Sequence, residues 1–209
     1  MLELNKLYNM DCMDGMKQFP DKYFELAIVD PPYGIKAERM NMGSRNTVKP
    51  DKTKSWDNSV PDDSYFKELQ RVSKNQVIWG GNYFNLPPTR CVLVWDKGES
   101  MYGRSFSEIE MAWTSFQDSA RIYKHNPNNP TRIHPTQKPI NLYTWILNLF
   151  AHDGDKILDT HVGSASSLIA CHNMGFDYIG FELDKDYWKA ATERLEAVKS
   201  QTTLWEGIG

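Results

Sequence analysis

Residues 26 to 34 read LAIVDPPYG: an apolar run that suits a buried strand stops at Asp30, and two prolines and Tyr33 follow at once. In an open α/β sheet, ligands bind beyond the carboxyl ends of strands, so Asp30 stands where a reacting group is expected. Pro31 and Pro32 fix φ and donate no hydrogen bond, which leaves rigid carbonyls free to accept from a ligand amine. Tyr33 adds a flat face. A carboxylate and a carbonyl acceptor beside an aromatic ring suit a planar ring with an exocyclic amine, a nucleobase. Asp30, Pro31, Pro32 and Tyr33 are therefore the candidate catalytic residues.

A second constellation lies late in the chain. In ILDTHVGSAS a strand ends at Asp159 and turns through Gly163 into a helix that starts near Ser164, which sets backbone amides and small residues beside a ligand. Glu182 ends the next strand, where an acid can accept both hydroxyls of a ribose. No GxGxxG follows any strand and no Walker A sequence is present, which argues against a dinucleotide-binding protein or a P-loop enzyme. Cys12, Cys91 and Cys171 are odd in number and widely spaced, so neither a disulfide framework nor a metal site is expected.

These residues need elements to carry them. Strands are expected at Leu4 to Asn9, Glu25 to Val29, Gln76 to Trp79, Cys91 to Trp95, Ile109 to Thr114, Ala120 to Lys124, Lys156 to Asp159 and Tyr178 to Glu182. Helical periodicity falls at Met13 to Gln18, Asp62 to Val72, Pro139 to Phe150, Ser164 to Met174 and Lys185 to Lys199. Alternation of the two predicts an α/β fold with a mostly parallel sheet covered on both faces, and the helix-free stretch from Cys91 to Lys124 predicts an antiparallel hairpin at one sheet edge. At 209 residues the chain reads as one domain. A mean hydropathy of −0.59, no leader-like N-terminus and no apolar run of membrane-spanning length predict a cytoplasmic protein without a membrane partner.

Charge is sorted along the chain. Residues 36 to 54 carry six basic side chains against two acids, residues 119 to 138 carry four against none, and the remainder holds 14 basic against 25 acidic groups. An acidic body with two positive segments can follow a phosphate backbone. The stretch from 36 to 59 has no apolar period and reads as a long basic loop.

DPPY at a strand end resembles the catalytic motif of the beta-class amino-methyltransferases, which modify the N6 of adenine or the N4 of cytosine in DNA. HPTQKP (134 to 139), KILDTHVGSAS (156 to 166) and YIGFELDKDYW (178 to 188) follow in the order of that class, with the catalytic motif ahead of the cofactor motifs. VIWGGNYF and the strands of residues 91 to 116 are similar to its catalytic half. The resemblance spans nearly the whole chain and implies a Rossmann-like S-adenosylmethionine-dependent fold. It divides the single domain into a catalytic half (1–116), a short recognition segment (about 117–133) and a cofactor half (134–200). It implies S-adenosylmethionine contacts from Asp11, Thr136, Gln137, Lys138, Asp159, Thr160, His161, Gly163, Ser164 and Glu182, with Lys138 opposite the methionine carboxylate. Double-stranded DNA is the implied partner, with Arg39, Arg45, Lys49, Arg121, Lys124 and Arg132 as its candidate contacts, and dimerisation is common in the class.

The family commonly shows DPFxGSGT where this chain has Thr160, His161 and Ala165 in place of proline, phenylalanine and the second glycine. The expected function is transfer of a methyl group to the N6 of a flipped-out adenine. Cytosine-N4 transfer, RNA methylation and a DNA-binding module without activity stand as alternatives.

Overall fold

The computed structural model describes residues 1–39, 53–127 and 132–206. The strands are β1 (Lys6–Tyr8), β2 (Phe24–Val29), β3 (Ser73–Trp79), β4 (Val92–Asp96), β5 (Ile109–Thr114), β6 (Arg121–Lys124), β7 (Lys156–Asp159) and β8 (Asp177–Phe181). The helices are α1 (Cys12–Met16), α2 (Asp63–Val72), α3 (Ile140–Phe150), α4 (Ser166–Asn173) and α5 (Lys185–Glu206). Every expected strand and helix is present, with ends shifted by a few residues; α5 runs beyond the expected Lys199 to Glu206.

The strands form one sheet in the order β1-β8-β7-β2-β3-β5-β4-β6. Its central strands are apolar on both sides because both faces are covered. On β2, Leu26 and Ile28 enter the core shared with α3, α4 and α5, while Ala27 and Val29 enter the core shared with α1 and α2. Asp62 caps α2 by accepting from the amides of Ser64 and Tyr65, which turns Tyr65, Leu69 and Val72 inward. Pro139 stands at the head of α3 and carries the preceding Lys138 to the end of the sheet where β2 terminates.

The antiparallel element needs a correction. β5 runs antiparallel to β3 and β4, but β6 lies outside the pair and runs parallel to β4, so the hairpin is one strand in from the edge. β5 is antiparallel to a sheet that is otherwise parallel, so its first residues lie at the carboxyl ends of its neighbours, and the amide of Gly80 just past β3 donates to the carbonyl of Met111. Neighbouring β2 and β7 run out at Asp30, just past β2, and at Asp159, with connections leaving to opposite sides, which is where a crevice opens in such sheets. None of the helices among the described residues is long and apolar enough to cross a membrane.

Candidate active site

A cleft of about 580 Å³ opens at this point, within the roughly 300–1,000 Å³ usual for small-molecule sites. Asp11, Asp30, Pro32, Thr136, Gln137, Lys138, Thr160, His161, Gly163, Ser164 and Glu182 line it, so eleven candidates drawn from three separate sequence segments and two isolated acids meet in one place.

Asp30 is the charged focus. Its Oδ2 accepts from Lys138 Nζ at 2.5 Å and its Oδ1 from the Tyr33 hydroxyl at 2.5 Å. Lys138, 3% exposed, also pairs with Glu110 at 3.0 Å, and Glu110 pairs with Lys97 at 2.8 Å. Burial pushes the Asp30 carboxyl above its ordinary range against the pull of Lys138, and Glu110 adds to the rise. Burial works the same way on Glu110, but its two lysines outweigh it and bring that acid down to about 2. Lys138 stays protonated because Asp30 and Glu110 overcome the burial that would discharge it.

Two expectations change here. Lys138 was expected opposite a ligand carboxylate; its ammonium is instead held by two carboxylates of the chain itself. Tyr33 was expected as an open stacking face; Tyr83 already stacks on it, with ring centroids 4.9 Å apart and planes within 10°. Phe84 meets the same ring edge-on, and the hydroxyl is committed to Asp30. Tyr33 thus fixes the carboxylate.

The turn after β7 is built by a side chain that never reaches the cleft. Asp159 is 2% exposed and accepts from the His161 amide at 3.0 Å and from the Ser167 hydroxyl, so it holds the turn in place and does not itself face a ligand. Burial lifts its carboxyl to about 7. Thr160, where the family has proline, shares a hydrogen bond with the Tyr65 hydroxyl at 2.6 Å and another with His161 Nδ1 at 2.9 Å. Burial holds His161 down to about 4 and His134 to about 3, so both rings are neutral at pH 7. Gly163 adopts φ +55°, and Ala165, at the family's second glycine, adopts φ +61°; an L-alanine there costs about 1–2 kcal/mol. Glu182 accepts from the amides of Gly163 at 2.9 Å and Asp184 at 2.9 Å, one to each oxygen. Asp11 caps α1 through the Met13 amide.

The basic loop divides. Arg45 and Lys49 lie outside the described residues. Buried Asp57 accepts from the amides of Gly34 and Ala37 and so pins the loop to the catalytic turn. Lys54 reaches across to Asp184 at 2.6 Å and Asp186 at 2.9 Å. Trp56 packs on His134 at 5.1 Å, which in turn packs on Tyr187. These side chains wall the cleft, a role that the basic composition of the loop did not disclose. The indole N–H of Trp56 is buried without a hydrogen-bond partner.

Among the other candidate DNA contacts, Arg121 and Lys124 are exposed on β6 and pair with Asp118 and Glu99 at the surface. Arg39 lies in a short 3-10 turn. Arg132 differs from the expectation: its guanidinium donates to the carbonyls of Pro135 and Pro127, so it braces the HPTQKP segment. Among the described residues no cluster of metal-binding side chains occurs.

Comparison with known proteins bears on the fold and the family. A family model described as DNA methylase matches residues 93–193. A putative methylase, YubD of Escherichia coli (strain K12), is 25% identical over 218 residues, covering 94% of this chain and 92% of its own. The M1.HpyAVI–SAM complex superimposes with a TM-score of 0.59 at 20% identity, over 90% of this chain and 98% of that one. The PvuII DNA methyltransferase, described as cytosine-N4-specific, superimposes with a TM-score of 0.59 at 11% identity, over 94% and 91%. The two structures establish the likeness of fold.

Proposed function

We propose, on the premise that this chain belongs to the DNA methylase family that acts at N6 or N4 amines, that it methylates the N6 amine of an adenine turned out of double-stranded DNA. The observation that carries the reading is the Asp30 carboxylate at the end of β2, on the wall of the cleft that the turn after β7 and Glu182 also line. S-adenosylmethionine, when bound, supplies an electrophilic methyl group on a sulfonium.

The residues present fit that cosubstrate. Each Glu182 oxygen accepts one backbone N–H, and the remaining lone pairs suit ribose hydroxyls. Thr136, Gln137 and the backbone of 161–164 form the polar wall expected for the methionine end, and Asp11 stands for the adenine. The unpartnered indole N–H of Trp56 offers a donor that a ligand acceptor would satisfy.

An exocyclic amine is a poor nucleophile because its lone pair is delocalised into the ring. Asp30 and the Pro31 carbonyl accept its two hydrogens and draw the lone pair toward the methyl group, and Asp30 takes the proton that the methylated amine sheds. A carboxyl held above its usual range by burial is the better proton acceptor for that step. Unstacking the target base costs roughly a few kcal/mol, offset in part by phosphate contacts from exposed cations such as Arg121 and Lys124.

Cytosine N4 is the second reading, favoured by the likeness to the PvuII enzyme; aspartate at position 30, where the cytosine group more often has serine, favours adenine. The test is to incubate the protein with labelled S-adenosylmethionine and unmethylated genomic DNA and identify the product nucleoside by mass spectrometry. N6-methyladenine is expected, N4-methylcytosine would overturn the base, and absence of transfer to DNA would overturn the substrate. Asp30→Ala should abolish turnover while calorimetry still registers cosubstrate binding.

A further inference from the structure

Glu110 was not among the candidate site residues and does not line the cleft, yet it shares a buried lysine with Asp30. It reaches that position because β5 runs against the other strands: Glu110 pairs in register with Trp95 and stands at the carboxyl end of the sheet. Its Oε2 accepts from Lys138 at 3.0 Å and its Oε1 from Lys97 at 2.8 Å, and Lys97 rests over the Trp95 ring at 5.4 Å. The four charges alternate Asp30, Lys138, Glu110, Lys97.

We propose that Glu110 is a positioning residue for methyl transfer: by taking up part of the charge on Lys138, it lets that lysine orient the Asp30 carboxylate without disabling it as a proton acceptor. This rests on the reading of Asp30 given above. A buried ammonium bonded to one carboxylate alone would stabilise the anion strongly and make it a weak base. Here Glu110, secured on its far side by Lys97, competes for the same ammonium. The groups that face Asp30 are Lys138 ahead of α3, Tyr33 on its own turn, Glu110 on β5, Asp159 at the end of β7, Tyr143 on α3 and Tyr65 on α2. Lys138 and Tyr33 hold Asp30 ionised, whereas the two acids oppose them.

The experiment follows the Asp30 carboxyl directly, by 13C NMR titration of the full-length protein with Asp30→Asn for assignment, alongside the pH profile of kcat. Glu110→Gln should lower the Asp30 titration midpoint and the acid limb of kcat together, by about one pH unit, and lower the plateau of kcat about tenfold, with KM for DNA within about twofold. Glu110→Asp should restore most of the midpoint. Lys97→Met, which leaves Glu110 bearing wholly on Lys138, should move the midpoint the opposite way. A folded Glu110→Gln protein, checked by its thermal midpoint, whose Asp30 titrates as in the parent overturns the proposal, as do shifts of the same sign in Glu110→Gln and Lys97→Met. Opposite shifts without methyl transfer by the parent protein would support the coupling and refute the methyl-transfer reading of Asp30.

Discussion

Gly80→Ala should damage the site while leaving every proposed reacting atom in the sequence. Gly80 lies just past β3 at φ +70°, and a Cβ placed on it would sit 2.1 Å from Tyr33 Cε1 and 2.6 Å from Cδ1 and Cζ. The left-handed backbone costs an alanine about 1–2 kcal/mol, and forcing the ring aside costs about 1–3 kcal/mol more, so a loss near 3 kcal/mol is expected. Gly103 provides the control: its φ is also +70°, but nothing lies within 4 Å of its Cβ position, so Gly103→Ala should lose only the backbone part, about 1 kcal/mol. In a chain of this size each kcal/mol moves Tm by about 2–4 °C, which gives losses of about 6–12 °C against about 2–4 °C. The displaced ring also gives up its 2.5 Å bond to Asp30, and turnover should fall at least about tenfold in Gly80→Ala and remain at the parent level in Gly103→Ala. Scanning calorimetry and single-turnover methylation decide the matter. Equal Tm losses with full activity in both would show that Tyr33 slides aside freely and that its contact with Asp30 is not what orients the carboxylate.

Tyr33→Phe keeps the ring but removes a donor that favours ionised Asp30, so the acid limb of the pH–rate profile should move to higher pH and the rate at neutral pH should fall several-fold; an unmoved limb would remove the hydroxyl from the mechanism. His134 is held down to about 3 by burial, below its unfolded value of about 6.5, so its contribution to stability is full above that value and is lost as pH falls. By pH 5 the loss is about 2 kcal/mol, and urea midpoints at pH 7 and 5 should show a smaller acid loss for His134→Asn than for the parent. Replacing Arg121 and Lys124 with glutamate should weaken DNA binding and flatten its dependence on log salt by about two; an unchanged slope would take β6 out of the interface.

The framework of this fold was legible because its signals are local. LAIV in β2 and Ile157 and Leu158 in β7 set apolar side chains on both faces, which suits central strands, and DPP has to end the first of them. The cleft followed from the rule that ligands gather beyond strand ends. Pairing among long side chains was not legible. The helix-free stretch around IEMAWT disclosed an antiparallel strand, but nothing local states that its second residue, the one acid in it, meets a lysine from HPTQKP. Lys138 was assigned to a ligand carboxylate by resemblance and Arg132 to DNA by charge, whereas each bonds to the chain itself. Trp56 and Lys54 were absorbed into a loop read only for its basic residues, because what they touch, His134 and Asp184, lies far along the chain.

The pairing of β2 with β7 joins Leu26 to Ile157, and that of β1 with β8 joins Lys6 to Ile179. Contacts closing loops of well over 100 residues are expensive in chain entropy and form slowly. During synthesis β2 and β3 can pair early and take cover from α1 and α2 on one face, but the other face and β1 must wait until β7 and β8 have emerged. The crevice that holds Asp30 comes into being only with the final closure, so competence for chemistry and completion of folding arrive in the same step, and chaperone demand should fall on the nascent first half.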